Sequence, residues 1–243
     1  MNRTLGATPS TAEHMPRTKN KAIEGWALRI AAVLIRLVAV IARHWLLLIN
    51  TALAIEAILP ILAPVLMATG HASVARLIYT LYSPLCHQLP ERSFFLFGPQ
   101  TTYTLHELEL LLGPGVPLRY IGNPAIGYKI AVCQRDIATY LALLVTGLAF
   151  IPLRRRLRPL PIKTFILLCI PMAIDGLGQL LTLWESTPYS RVISGALFGI
   201  ACIWLAYPYI EAGMQDVVRT LGQAPLSTSN DKENSSVHDA NGT

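Results

Sequence analysis

The sequence predicts an all-α, polytopic membrane protein with four transmembrane helices and an N-terminal interfacial amphipathic helix, on three observations. Of its 243 residues, 53% are hydrophobic and only 14% are charged, which leaves too little polar surface for an ordinary soluble domain. Four apolar stretches, 45–68, 137–153, 165–184 and 192–210, each come near the ~20 residues that cross a hydrocarbon core of ~30 Å. Basic residues gather on alternate sides of these stretches, as they do when Lys and Arg are retained in the cytoplasm.

Residues 1–22 are rich in Thr, Asn, Arg and Lys and lack an apolar core followed by a small-residue cleavage site, so they read as a disordered cytoplasmic arm rather than a signal peptide. Residues 23–44 are apolar enough to pass for a span, but Arg29, Arg36 and Arg43 recur every seven residues. Seven residues are close to two helical turns, so the three guanidinium groups share one face. That pattern describes a helix lying in the interface, because Arg36 at mid-membrane would cost ~3 kcal/mol or more, whereas at the surface it meets anionic headgroups. The expected partners are thus the lipid bilayer and anionic headgroups at the cytoplasmic face. Nucleic acid is not expected, since the net charge of +6 follows from topology, and no protein partner is identified.

The first span, 45–68, carries Glu56 at its middle, and the third, 165–184, carries Asp175. Carboxylates in lipid are costly and face the bundle interior, where they mark a site or hold helices together. Gln179 follows Asp175 by four residues on the same helix face. Pro60 lacks the N–H that would bond the carbonyl of Glu56, and Pro171 frees that of Leu167 in the same way. Glu56, Asp175 and Gln179 therefore form a candidate polar core, consistent with an ion or proton site or with a packing cluster. Cys169 and Cys202 lie inside spans and read as small buried hydrophobes.

Seven basic residues from Arg3 to Arg43, and Arg154, Arg155, Arg156 and Arg158 between spans two and three, place both termini in the cytoplasm of a multi-pass cell-membrane protein. The long loop 69–136 then lies outside, and its five basic against four acidic residues suit a translocated segment. Within it, "TYTLHELELLL" (102–112) has leucines at helical spacing and reads as a short amphipathic helix, with His106 solvated on its surface. "GPGVP" and "GNPAIG" punctuate an irregular connection into span two. Residues 211–243 read as a polar cytoplasmic tail, low in complexity toward its end.

The chemistry-bearing part of this loop is "SPLCHQLPERSF" (83–94) together with "AVCQRDIATY" (131–140), which opens span two. Cys86, His87, Cys133 and Asp136 fall on the same side of the membrane, and Cys133 and Asp136 are one helical turn apart. Three readings stand open. The four residues supply thiolate, imidazole and carboxylate ligands for a zinc-like metal ion. Cys86 and Cys133 alone would make a disulfide, as extracytoplasmic cysteines commonly do. A redox thiol pair is the weakest reading, because the chain has no Cys-x-x-Cys. The sequence has no Gly-rich phosphate loop, Gly-x-Ser-x-Gly elbow or His-Glu-x-x-His, and whether the protein is an enzyme is left open.

The succession "CHQLPERSF", "VCQRDIATY", "PMAIDGLGQL", "ES" and "RVISGALFG", over residues 79–205, resembles the membrane-protein family named domain of unknown function 2085. The resemblance implies no established activity. It implies a polar set on the outer half of one bundle, here Cys86, His87, Gln88, Arg92, Ser93, Cys133, Arg135, Asp136, Asp175, Gln179, Glu185 and Arg191. Many members read Cys-x-Arg-Cys in the later motif, where this chain has Asp136, which weakens an all-sulfur metal site and leaves carboxylate as the replacement ligand. Glu185 and Arg191 flank the short outer connection and are placed to pair across it. Arg92, Arg135 and Arg191 suit an anionic headgroup or phosphate, or else simply reach the headgroup layer.

Overall fold

A computed structural model describes residues 17–181 and 184–223, with side chains described from residue 25 onward. The chain divides into two compact units, Met1–Arg43 with Val217–Thr243, and His44–Asp216. The arm at 1–22 and the tail at 211–243 thus lie largely outside the described residues, and so do Thr182 and Leu183 of the third predicted span.

Helix α1 (Arg17–Ala68) is followed by α2 (Ala72–Tyr82), strand β1 (Phe95–Leu96), α3 (Leu105–Leu112), strands β2 (Gly122–Asn123) and β3 (Gly127–Lys129), and helices α4 (Gln134–Leu153), α5 (Ile162–Leu180) and α6 (Pro188–Gln223). Helices α1, α4, α5 and α6 are long and apolar enough to cross a membrane, so the all-α membrane class expected from composition holds. Two boundaries differ from the sequence reading. No separate interfacial helix ends at residue 44, because α1 has no proline before Pro60 and runs through that point unbroken. Helix α6 begins at Pro188, so Arg191 is inside it, and it continues to Gln223, past the expected end of the span at 210.

Besides a loop cluster of Phe95, Tyr103, Leu108 and Ile126, the larger unit has two further apolar clusters. One gathers Ala63 of α1, Ala75, Ile78, Tyr79 and Tyr82 of α2, Cys86, Ile130 to Val132 and Ile137 of α4. The other gathers Trp45, Leu46, Phe150, Ile203 and Tyr207. Between them α4 and α6 approach at Gly195 and Gly199, where an added Cβ would stand 2.5 Å from the Arg135 carbonyl and 2.7 Å from that of Thr139. This small-residue spacing is a common way to bring membrane helices together.

Helix prolines tie the loop to the bundle. With no N–H on Pro60, the Glu56 carbonyl is free and accepts from the Tyr82 hydroxyl at 3.3 Å. With none on Pro64, the Pro60 carbonyl accepts from the Ala131 N–H at 3.2 Å. Pro208 leaves the Trp204 carbonyl to the Leu160 N–H at 3.3 Å. In each case a neighbouring segment supplies the donor the helix lacks, as buried backbone in a membrane requires.

The loop 69–136 has more order than an irregular connection. Its strands pair antiparallel in the order β1-β3-β2, with Phe95 opposite Lys129 and Gly122 opposite Tyr128. Gly122 (φ 125°) and Gly127 (φ 86°) take conformations closed to other residues, and a Cβ on Gly127 would meet the Leu96 carbonyl at 2.4 Å. Helix α3 forms where its leucine spacing predicts. Its Thr104–Glu107 capping box supplies hydrogen bonds that hold the exposed Glu107 carboxyl below its ordinary pKa.

Candidate functional site

Cys86 follows the last turn of α2, its N–H donating to the Tyr82 carbonyl at 3.0 Å. The chain then bends through Gln88, whose φ of 57° is left-handed and costs a non-glycine residue on the order of 1 kcal/mol. Two bonds hold the bend: Gln88 Nε2 donates to the Tyr79 carbonyl at 2.7 Å, and the Gln88 carbonyl accepts from Lys129 Nζ. Lys129 is fully buried, and loss of hydration pulls its pKa down to about 8.

Cys133 is the N-cap of α4, and its Sγ accepts from the Asp136 N–H at 3.4 Å. That cap turns the thiol toward the Asp136 side chain, so the one-turn spacing does converge. The donor atoms of Cys86, Cys133 and Asp136 all lie within 4.8 Å of one another. In this structure both cysteines are free thiols, Cys86 buried and Cys133 partly buried. A hydrogen bond from the Cys133 thiol draws the Cys86 pKa below its ordinary value, opposed by burial and by Asp136. The same bond, together with burial, holds Cys133 well above its own.

His87 does not join this cluster. Cys86 is buried while His87 is exposed, and the group of converging ligand atoms is Cys86, Cys133 and Asp136 without it. The four-ligand set expected from sequence thus reduces to two thiols and a carboxylate. A tetrahedral zinc ion with bonds of ~2.0–2.3 Å holds its donors ~3.3–3.8 Å apart, so a trio within 4.8 Å needs to contract by at most about 1.5 Å.

Around the trio is a cavity of about 340 Å³ that His87, Gln88, Arg92, Arg135, Gln179 and Arg191 also line. Arg135, in the first turn of α4, is ion-paired with Asp175 of α5, and the other Asp175 oxygen accepts from Ser190 Oγ at 2.8 Å. Arg191 donates to Gln134 Oε1 at 3.1 Å, and Gln134 Nε2 donates to the Ser93 carbonyl at 3.2 Å. With its amide oxygen turned toward the guanidinium groups, Gln179 accepts from Arg191 and from Arg92, each at 3.2 Å. These bonds join α4, α5, α6 and the segment at 92–93 into one network.

Two expected groupings are not formed. Glu56 is not gathered with Asp175 and Gln179: its carboxylate lies beside the Tyr82 hydroxyl, whose pKa burial and that carboxylate raise to about 12. The reason is depth, since Asp175 is near the loop end of α5, opposite Arg135, while Glu56 is three turns below the end of α1. Glu185 makes no ion pair with Arg191 among the described residues. Arg191 turns inward to the glutamines, and Glu185 lines a second cavity of about 370 Å³ with Glu91, Arg92 and Arg191.

Lys129 and Gln134, both fully buried, were not singled out from sequence. Gln134 stands between the Cys and the Arg of "CQR", and that position was its only signal. Nothing in "GYKI" marks Lys129 as buried.

The family model described as "Predicted membrane protein (DUF2085)" matches residues 125–205. That range takes in Cys133 to Asp136, Asp175, Gln179 and Arg191, and leaves Cys86, His87 and Arg92 outside it, so it is shorter than the 79–205 read from the motifs. An uncharacterized protein of Methanocaldococcus jannaschii is 30% identical over 155 residues, covering 60% of this chain and 80% of that protein. No solved structure matches the chain.

Proposed function

The chain belongs to the DUF2085 family of predicted membrane proteins, and we propose that it is a multi-pass cell-membrane protein whose outer face binds a zinc-like metal ion on Cys86, Cys133 and Asp136. The observation that carries this reading is the convergence of the three donor atoms to within 4.8 Å in the lining of a cavity. Two sulfurs and a carboxylate are an acceptable zinc donor set, and three protein ligands leave a fourth position for water or another ligand. The lowered pKa of Cys86 supports it, because a metal takes thiolate, not thiol. What these residues do is bind: Cys133 is held by its cap on α4, Cys86 by the bend after α2, and Asp136 by the first turn of the helix.

Orientation follows from the basic residues, with both termini cytoplasmic and the cavity outside. Arg29, Arg36 and Arg43, all exposed, then face anionic headgroups at the cytoplasmic surface. A carrier or enzyme built on Glu56, Asp175 and Gln179 is less well supported, because Asp175 is committed to Arg135 and Glu56 stands apart.

Metal analysis of the purified protein by inductively coupled plasma mass spectrometry tests the reading. The expected result is about one zinc per chain, falling to roughly a tenth or less in Cys133→Ser. A sub-stoichiometric content that Cys133→Ser leaves unchanged would overturn it.

A further inference from the structure

Beside the sulfur cluster, three arginines, Arg92, Arg135 and Arg191, line the cavity against a single lining carboxylate, Asp136. Asp175 neutralises Arg135. Arg191 is only 6% exposed, yet no carboxylate among the described residues ion-pairs with it. Its acceptors are the neutral amide oxygens of Gln134 and Gln179. Arg92 shares Gln179 and reaches Glu91 only at 4.0 Å.

Burying a guanidinium without an ion-paired counter-charge is costly, and here the like charges of Arg92 and Arg135 act on Arg191 against the opposing charge of Asp175. The Nε atoms of Arg135 and Arg191 are buried without an acceptor. A packing role does not account for this, because an apolar side chain would fill the space without the electrostatic cost. Helix α4 starts at the cavity, so its N-terminal dipole end adds to the positive field.

We propose that this cavity binds a phosphate group, carried as a monoester or a diester, between Arg92 and Arg191 with Arg135 behind them. A tetrahedral oxyanion offers acceptors to several planar guanidinium forks at once, which one carboxylate does not. Gln134 and Gln179 fix the orientation of the forks. The volume of about 340 Å³ exceeds a bare phosphate and admits part of what carries it. The proposal rests on the arginines and glutamines and stands whether or not the cysteine cluster holds a metal.

The test titrates inorganic phosphate into the full chain, in uncharged detergent with a chelator present, by isothermal titration calorimetry. In parallel, native mass spectrometry scores retention of phosphatidylglycerol against phosphatidylcholine. Saturable binding in either arm is expected, weakened about fivefold or more by Arg92→Gln. Inorganic phosphate binding assigns the site to a soluble phosphate, and phosphatidylglycerol retention alone assigns it to a lipid headgroup. Should Arg92→Gln not fold, Arg92→Lys, which keeps the charge and loses the fork, carries the same criterion. No binding in either arm, or binding weakened by less than about fivefold in the variant, overturns the proposal, and the chelator keeps that outcome separate from the metal reading.

Discussion

At the end of the bundle around Trp45, buried polar groups are paired off within the protein. Trp45 Nε1 donates to Glu211 Oε2 at 2.9 Å, Gln215 Nε2 donates to Glu211 Oε1 at 2.7 Å, and the Tyr207 hydroxyl donates to Asn50 Oδ1 at 3.2 Å. Asn50 Nδ2 in turn reaches the Gly147 carbonyl at 3.4 Å, and the rings of Trp45 and Phe150 meet that of Tyr207 at 5.1 and 5.3 Å. At the loop end, Arg135 pairs with Asp175 and Arg92 loosely with Glu91, Arg191 has only amide acceptors, two Nε atoms lack acceptors, and a cavity stands beside them. Burial is similar at both ends, and the balance of acceptors is not. A polar network that closes on itself needs nothing further to explain it, whereas surplus donors around a cavity are what a binding site has before its ligand arrives.

The contrast is sharpest for the two buried carboxylates. Asp175→Asn removes the counter-charge of Arg135 and is expected to lower stability by about 3–5 kcal/mol. Glu211→Gln keeps an acceptor for Trp45 and is expected to cost only about 1 kcal/mol. Thermal unfolding in detergent, followed by size-exclusion fluorescence, compares them, and equal losses would break the distinction between the two ends.

Lys129 gives the next largest effect, and it depends on pH. Its folded pKa of about 8 lies below the ordinary 10.5, so between those values the unfolded chain holds the proton that the folded chain has released. Stability therefore rises with pH from about 8 to about 10.5, by on the order of 3 kcal/mol. Lys129→Met should abolish that rise. Stability curves of the two proteins across this window that run parallel would remove Lys129 as its source.

The smallest effect is at a single hydrogen bond. Tyr82→Phe should cost about 1 kcal/mol, by leaving the Glu56 carbonyl without its donor. A Tyr82→Phe protein as stable as the parent would mean that water takes over at Pro60 and that the loop is not tied to α1 through that bond.

Local spacing carried much of this into the sequence. Spans were legible because an apolar run of about 20 residues has few other uses, and the freed carbonyl of Glu56 because a proline's missing N–H acts at a fixed offset of four. Cys133 and Asp136 converge because one helical turn is the same length everywhere. Helix α2 and the three short strands were not legible: "ASVARLIYTLY" is flanked by no strong caps, and strands of two or three residues show no period to read.

What remained undecided in the sequence were the pairings between elements far apart in the chain. Whether Asp175 meets Glu56 or Arg135, and whether Arg191 meets Glu185 or Gln134, depends on how helices slide and rotate against each other. The close approach of α4 and α6 at Gly195 and Gly199 sets that register, and with it which side chains share a depth. Cys86 and Cys133 likewise lie 47 positions apart in the chain, and only packing of the loop onto α1 brings their sulfurs together. Residue type and spacing determined the membrane class, the spans and the local convergence at the head of α4. The tertiary structure alone decided that Cys86, Cys133 and Asp136 converge without His87, and that Arg191 meets glutamines beside a cavity instead of Glu185.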